Sequence, residues 1–287
     1  MKIKVITDSA ADLTTELMEK HEISSVPHIV LFEDKPWKLG VDIAIDDFYR
    51  LLEDSEFFPS SANPEAADFL SLIEKSLENK QYDHVFCISV AKELSGSTFS
   101  AYRLAIKKYE ENVTLINTEA ASGVQGLMAL YVSELAQQGK NVEQIKDIIE
   151  SLIARYYLNV GFHTMDNIYK SGRIKSKLIL YLTKMIGVKP IAQMERPGKL
   201  VSSTPVFFSK KGMVKKLLKL AVKGTEENTK YNLIISHVSN LRGAQYILEN
   251  LKKVRNIDRA FITFASPIIG SNTGMGTIIV SLLPSLD

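Results

Sequence analysis

Polar turns at the ends of apolar strands are where this chain concentrates side chains able to hold an anion. Val85-Phe86-Cys87-Ile88-Ser89-Val90 is an apolar run of the kind that forms a strand covered on both faces. Beyond it, Ser95-Gly96-Ser97 opens a helix, with Tyr102, Ala105, Ile106 and Tyr109 at helical spacing. The first amides of a helix lack intrahelical partners and carry the positive end of its dipole, so this junction suits an anionic head group. Gly96 lets the backbone come close to a ligand. Ser95 also reads as a plain N-cap, because serine is favoured there for local reasons alone. Thr7-Asp8-Ser9 and Asn117-Thr118 end two further apolar strands. Ser61 sits in Phe57-Phe58-Pro59-Ser60-Ser61-Ala62-Asn63-Pro64, a loop crowded with turn formers.

The elements that must position these turns alternate. Strands are expected at 3–6, 23–32, 85–90 and 113–118. Helices follow at 12–21 behind Asp12 as cap, 45–52, 65–77, from Thr98, at 123–138 and at 141–155. Glu33-Asp34-Lys35-Pro36 reads as a turn, and Pro27 marks an edge or bend in the second strand. Strands and helices alternating at this length predict βαβ units and a largely parallel sheet. In such sheets ligands bind outside the carboxyl ends of the strands, which gathers Asp8, Ser9, Ser89, Ser95 and Asn117 at one edge. A second α/β unit is expected from residue 158. It contains strands at 159–163, 188–192, 200–208, 231–237, 260–265 and 278–282, helices at 178–186, 212–222 and 241–254, and a Gly-rich loop at 267–276. The fold class is therefore α/β in two domains, 1–157 and 158–287, with the first sheet mostly parallel and flanked by helices.

Composition narrows the function. The chain has 287 residues, 45% hydrophobic and 24% charged, with a net charge of +2, as in an ordinary globular protein. Lys and Arg are scattered, and the densest group (Lys210, Lys211, Lys215, Lys216 and Lys219) reads as a solvated helix face, so no nucleic-acid partner is expected. The single Cys87 lies inside an apolar strand and is expected to be a buried structural thiol. No metal is expected, since no His/Cys/Asp cluster has ligand spacing. No apolar run reaches 18 residues and the N-terminus enters a strand directly, so a cytoplasmic location is expected.

Taken in order, several of these stretches resemble the DegV family over essentially the whole chain. They are Thr7-Asp8-Ser9, Pro59-Ser60-Ser61-Ala62-Asn63-Pro64, Leu94-Ser95-Gly96-Ser97 with Ala101, Ser171-Gly172-Arg173-Ile174, Lys189-Pro190-Ile191 and Ile269-Gly270-Ser271-Asn272-Thr273-Gly274-Met275-Gly276. The resemblance implies two α/β domains holding a long-chain fatty acid between them as the only small-molecule requirement, with no cofactor. It implies a non-catalytic subunit that presents the acid to a dihydroxyacetone-kinase-like fatty acid kinase for conversion to acyl phosphate in phospholipid synthesis, with transient contact to a membrane surface. By the same resemblance Ser95 binds the carboxylate with Gly96 and Ser97 backbone, and Ser61 contacts the same group. Asp8 and Ser9 support the site, and Arg173 stands at its mouth. The chain departs from the family at Asn272, where histidine is usual, at Met275, where proline is usual, and at Phe207, which aligns with an arginine associated with the kinase. A carrier or sensor that meets no kinase, and a phosphate-ligand protein, are the alternatives.

A fatty acid makes physical sense of an apolar second unit joined to polar turns. Burying a 16-carbon chain gains on the order of 12 kcal/mol before ordering costs, at about 0.8 kcal/mol per methylene. The carboxylate must then be compensated, and Ser61, Ser95, the Gly96 and Ser97 amides and Asn272 offer donors without a fixed cation. A serine hydrolase using Ser95 with His237 or His163 lacks the Gly-x-Ser-x-Gly elbow and an acidic partner. Neither phosphate-loop nor dinucleotide fingerprint is present.

Overall fold

Residues 1–32, 35–38, 42–54, 59–164, 166–170, 172, 189–207 and 209–286 are described by a computed structural model of the chain. Their strands form three sheets. The first is wholly parallel, in the order β2-β1-β6-β7, from β1 (Ile3–Asp8), β2 (Ile23–Val26), β6 (His84–Ser89) and β7 (Val113–Asn117). Strand β6 is buried along its whole length, as its unbroken apolar run requires. Helices α1 (Thr15–Lys20), α3 (Ala66–Leu77), α4 (Gly96–Ile106), α5 (Ser122–Gln137) and α6 (Val142–Ile153) make up the rest of this half.

The second sheet has six strands in the order β10-β9-β8-β13-β11-β12. These are β8 (Tyr157–Gly161), β9 (Lys189–Glu195), β10 (Lys199–Phe207), β11 (Lys230–His237), β12 (Asn256–Phe264) and β13 (Ile278–Pro284). Only β11 and β12 run parallel; every other pairing is antiparallel. Helices α8 (Lys210–Lys223) and α9 (Leu241–Leu251) cover one face, burying Met213, Leu217, Ala221 and Ile247 against it. The short helix α7 (Asp166–Lys170) follows β8. The helix expected over 178–186 lies outside the described residues.

A third, small sheet corrects the reading of residues 23–38. The expected single strand is two, because Pro27 has no N–H to give a ladder and breaks it. Strand β2 stays in the parallel sheet, while β3 (Ile29–Phe32) pairs antiparallel with β4 (Lys35–Lys38) and β5 (Ser60–Ala62). Lys35 and Pro36, expected in a turn, belong to β4 at the sheet's edge, where a proline costs no ladder bond. Helix α2 (Ile45–Asp54) packs Phe48, Tyr49 and Leu52 against Val30 and Phe32.

Two further corrections bear on the site. Residues 267–276 are not simply a loop: α10 (Pro267–Thr273) starts with proline at its first turn, where the missing N–H is harmless. Its glycine misleads because it serves packing. A Cβ at Gly270 would stand 2.0 Å from the Tyr49 hydroxyl oxygen. The helix ends at Gly274, with φ 85°. At the start of the chain Thr14, not Asp12, caps α1, accepting from the Leu17 amide at 3.2 Å.

Helix α5 lies between the two larger sheets and packs on β1 and β6 on one side and β11 and β13 on the other. Most of its residues are buried, from Ser122 through Ser133 without a break, and the polar ones among them, such as Ser122 and Gln125, are hydrogen-bonded. Small residues permit the approach: a Cβ at Gly123 would meet Ile234 at 2.5 Å, and one at Gly126 would meet the Ala11 carbonyl at 2.4 Å. The largest cluster of buried side chains consequently runs from Val5 and Phe86 through Leu127 and Leu130 to Ile234 and Leu283.

Candidate functional site

Where the carboxyl edge of the parallel sheet faces the second sheet, the protein encloses a cavity with about 640 Å³ of space between its atoms, part of it open to solvent. Its wall is mainly apolar. Val90, Leu94 and Ala121 come from the first half, Leu158, Val160, Met194, Leu200 and Ile279 from the second sheet, and Ile268 and Ile269 from α10. These strands alternate, so Leu158 and Val160 face the cavity side while Tyr157 packs beneath α8.

One polar cluster interrupts the apolar wall. Ser95 stands at the N-cap of α4, yet its side chain makes no capping bond. Its hydroxyl donates instead to Asn63 Oδ1 at 3.0 Å and lies 2.8 Å from Thr98 Oγ1. Thr98 also donates to Asn63 Oδ1, at 3.1 Å, and meets His28 Nε2 at 3.3 Å. Ser95, Asn63 and His28 all line the cavity. The plain-cap reading of Ser95 therefore gives way to one in which its hydroxyl belongs to a cavity-facing cluster.

Behind this cluster the strand-end turns are locked together. Asp8, fully buried, accepts from Ala10 N at 3.0 Å through one oxygen. Its other oxygen accepts from Val90 N at 3.2 Å, Gln125 Nε2 at 3.0 Å and the Tyr102 hydroxyl at 3.3 Å. Burial pushes the Tyr102 phenol well above its ordinary range, so it stays a donor. Thr118 joins the third turn by donating to the Ser89 carbonyl at 2.8 Å. Asp8 thus braces the turn from which Ser9 reaches His28, at 3.0 Å from Nδ1.

A second brace crosses between the halves. Asp12 is buried in the left-handed region, φ 51°, and accepts from Ser266 N at 2.6 Å and from the Ser122 hydroxyl at 2.5 Å. It therefore ties the first turn to the starts of α5 and α10. Burial holds its carboxyl above the ordinary range, opposed in part by these bonds. Helix α10 is pinned at its other end, where Asn167 Nδ2 donates to the Ser271 carbonyl at 2.9 Å.

The structure brings only some of the expected site residues to the cavity. Ser95 and Asn272 line it; the Asn272 amide donates to the Ile268 carbonyl of its own helix at 2.5 Å. Ser61 lies half-buried on β5 opposite Val30 and does not line the cavity. Gly96 and Ser97 are exposed at the start of α4, and a Cβ at Gly96 would meet nothing within 4 Å. Asp8 and Ser9 stand behind the wall. Arg173 lies outside the described residues, and of Phe207 only its backbone pairing with Lys189 is described. His237 accepts from Asn240 N at 3.4 Å and packs on Phe264, and neither it nor His163 lines the cavity. His28, Asn63, Thr98 and Ser122 were not singled out by their sequence. The available signal was a histidine inside the otherwise apolar Val26-Pro27-His28-Ile29-Val30. Among the described residues no group of three or more His, Cys, Asp or Glu could hold a metal, and no helix is long and apolar enough to cross a membrane.

Comparison with known proteins agrees with this architecture. The DegV family matches residues 2–285. A protein of Thermotoga maritima named fatty acid-binding protein is 26% identical over 283 residues, covering 97% of this chain and 96% of its own. A DegV domain-containing protein of Listeria monocytogenes is 28% identical over 278 residues, 96% of each chain. A DegV family protein from Thermus thermophilus, whose structure is described as fatty acid binding, superposes with a TM-score of 0.89 at 22% identity, covering 99% of this chain and 100% of that one. A stearic acid-binding protein from Eubacterium ventriosum gives 0.86 at 22% identity over 98% of both chains. At these identities the structural likeness is one of fold.

Proposed function

The chain belongs to the DegV family, and we propose that it binds a long-chain fatty acid between an N-terminal unit, 1–157, and a C-terminal unit, 158–287. The acyl chain lies along the apolar wall and the carboxylate against the Ser95 cluster. The observation that supports this most is the pairing of one apolar cavity with one compact set of neutral donors in its wall. The Ser95 hydroxyl stands in the cavity wall, within reach of a carboxylate oxygen, and the Thr98 hydroxyl, buried behind it at 2.8 Å, orients it. Hydrogen bonds to a charged acceptor contribute roughly 1.5–3 kcal/mol each, enough to offset part of its desolvation.

In this reading the protein itself performs no chemistry, takes no cofactor, and offers the bound carboxyl to a kinase subunit. A carrier that meets no kinase is the second reading, favoured by Asn272: its amide can donate a hydrogen bond, as it does to the Ile268 carbonyl, but can neither carry charge nor transfer a proton. Organic extraction of the purified protein with mass spectrometry tests the ligand class. Ser95→Ala should lower fatty acid occupancy on the order of tenfold, the equivalent of one lost bond to a charge. Unchanged occupancy would remove Ser95 from the head-group site, and a recovered nucleotide or sugar phosphate would replace the reading altogether.

A further inference from the structure

Among the described residues lining the cavity, His28 is the single titratable side chain, and it is 2% exposed. We propose that His28 is the positioning residue of the head-group site: it aims the Thr98 and Ser95 hydroxyl protons, and so makes the cavity select an acid over an uncharged head. This rests on the reading of the cavity as a fatty acid site, and goes beyond it in naming the residue that sets head-group choice.

The case is one of proton direction. Pro27 ends the β2 ladder, and the His28 backbone N–H donates to Ser9 Oγ at 2.9 Å. The same oxygen lies 3.0 Å from His28 Nδ1. If Nδ1 carried the proton, Ser9 would accept twice from one residue and its own hydroxyl proton would lack an acceptor among these groups. If Ser9 donates to Nδ1, its hydroxyl proton has an acceptor, and Nε2 is the ring nitrogen that carries a proton. That N–H then donates to Thr98 Oγ1 at 3.3 Å. With a lone pair occupied from behind, the Thr98 proton points forward, to Asn63 Oδ1 or Ser95 Oγ. Ser95 donates to the same Asn63 oxygen. Thr98 is buried behind the wall, so its proton turns to Ser95 Oγ when the Ser95 proton swings from Asn63 to a carboxylate in the cavity, and the two donors act in series. An alcohol or ester has no charge with which to draw both donors, and gains less from the alignment.

The test compares hexadecanoic acid with hexadecanol, each titrated into delipidated full-length protein by calorimetry. Wild type should bind the acid more tightly. His28→Leu should weaken the acid about tenfold while changing the alcohol less than twofold, and His28→Gln, which keeps a donor at the Nε2 position, should restore most of the loss. Thr98→Val should reproduce the selective loss, and the double variant should be no worse than either single, since both act through one chain of bonds. Equal loss of acid and alcohol, no loss, or no rescue by glutamine would each overturn the proposal. Should His28→Leu fail to fold, Thr98→Val decides alone: a selective loss supports the relay and an unselective one refutes it. Wild type that binds neither ligand, or prefers hexadecyl phosphate, refutes the fatty acid reading before any variant is made.

Discussion

Replacing Gly270 by alanine should destabilise the protein, although helix propensity alone predicts the reverse. Gly270 sits in the middle of α10, and there alanine is favoured over glycine by about 1 kcal/mol. Against this, the new Cβ would stand 2.0 Å from the Tyr49 hydroxyl oxygen and 2.7 Å from two of its ring carbons. Tyr49 is buried and cannot swing into solvent, and its hydroxyl donates to the Ala265 carbonyl at 2.7 Å. Overpacking of this kind costs about 1–3 kcal/mol, and stripping a buried carbonyl of its donor costs a further 1–3 kcal/mol or so. Subtracting the propensity gain leaves a loss of about 3 kcal/mol, or roughly 6 °C of melting temperature at about 2 °C per kcal/mol for a chain of this size. Thermal unfolding by calorimetry measures it directly. Adding Tyr49→Phe removes the nearest atom, so the double variant should be more stable than the sum of the singles by about 1 kcal/mol or more. Because Ile268, Ile269 and Asn272 of α10 line the cavity, lipid occupancy should fall with stability. A Gly270→Ala protein as stable as wild type, or more so, would refute the packing argument.

Two further outcomes follow from buried titratable groups. Burial raises the Asp12 carboxyl above its ordinary 3.8, so the folded chain holds this proton more tightly than the unfolded chain. That stabilisation is complete below the ordinary value and is lost as pH rises through the folded one, so the advantage of wild type over Asp12→Asn should shrink with rising pH, as read by denaturant unfolding across the acid range. A gap that widens instead would reverse the sign assigned to this group. Cys87 is fully buried and its thiol is pushed up by burial, so iodoacetamide should leave it unmodified in native protein and label it on unfolding; native labelling at the unfolded rate would contradict its placement.

The alternation of apolar runs and polar turns made the parallel sheet and its loaded edge legible from residues 3–8, 84–89 and 113–117. Ser95 could be picked out because strand, turn and helix lie within one short stretch. His28, Asn63 and Thr98 escaped because their meeting is a tertiary fact. His28 and Thr98 are 70 positions apart, and Asn63 and Thr98 are 35 apart. Only the break at Pro27 turns His28 toward Ser9. The stretch 267–276 reads as a loop for a local reason: Gly270 and Gly274 look alike in sequence, but one makes room for Tyr49 and the other ends a helix at positive φ. Thr14 holds the capping role that sequence suggests for Asp12, and the Asp12 carboxylate instead joins elements more than a hundred positions away.

Helix α5 has a consequence for how the chain is made. It packs on β1 and on β11 and β13, strands from opposite ends of the sequence, and β13 ends at Pro284, long after α5 ends at Gln137. At ribosomal rates of about 5–20 residues per second, the second face waits roughly ten seconds for its partner strands to emerge. During that interval the side of α5 that packs on Ile234 in the finished protein is without its partner strands.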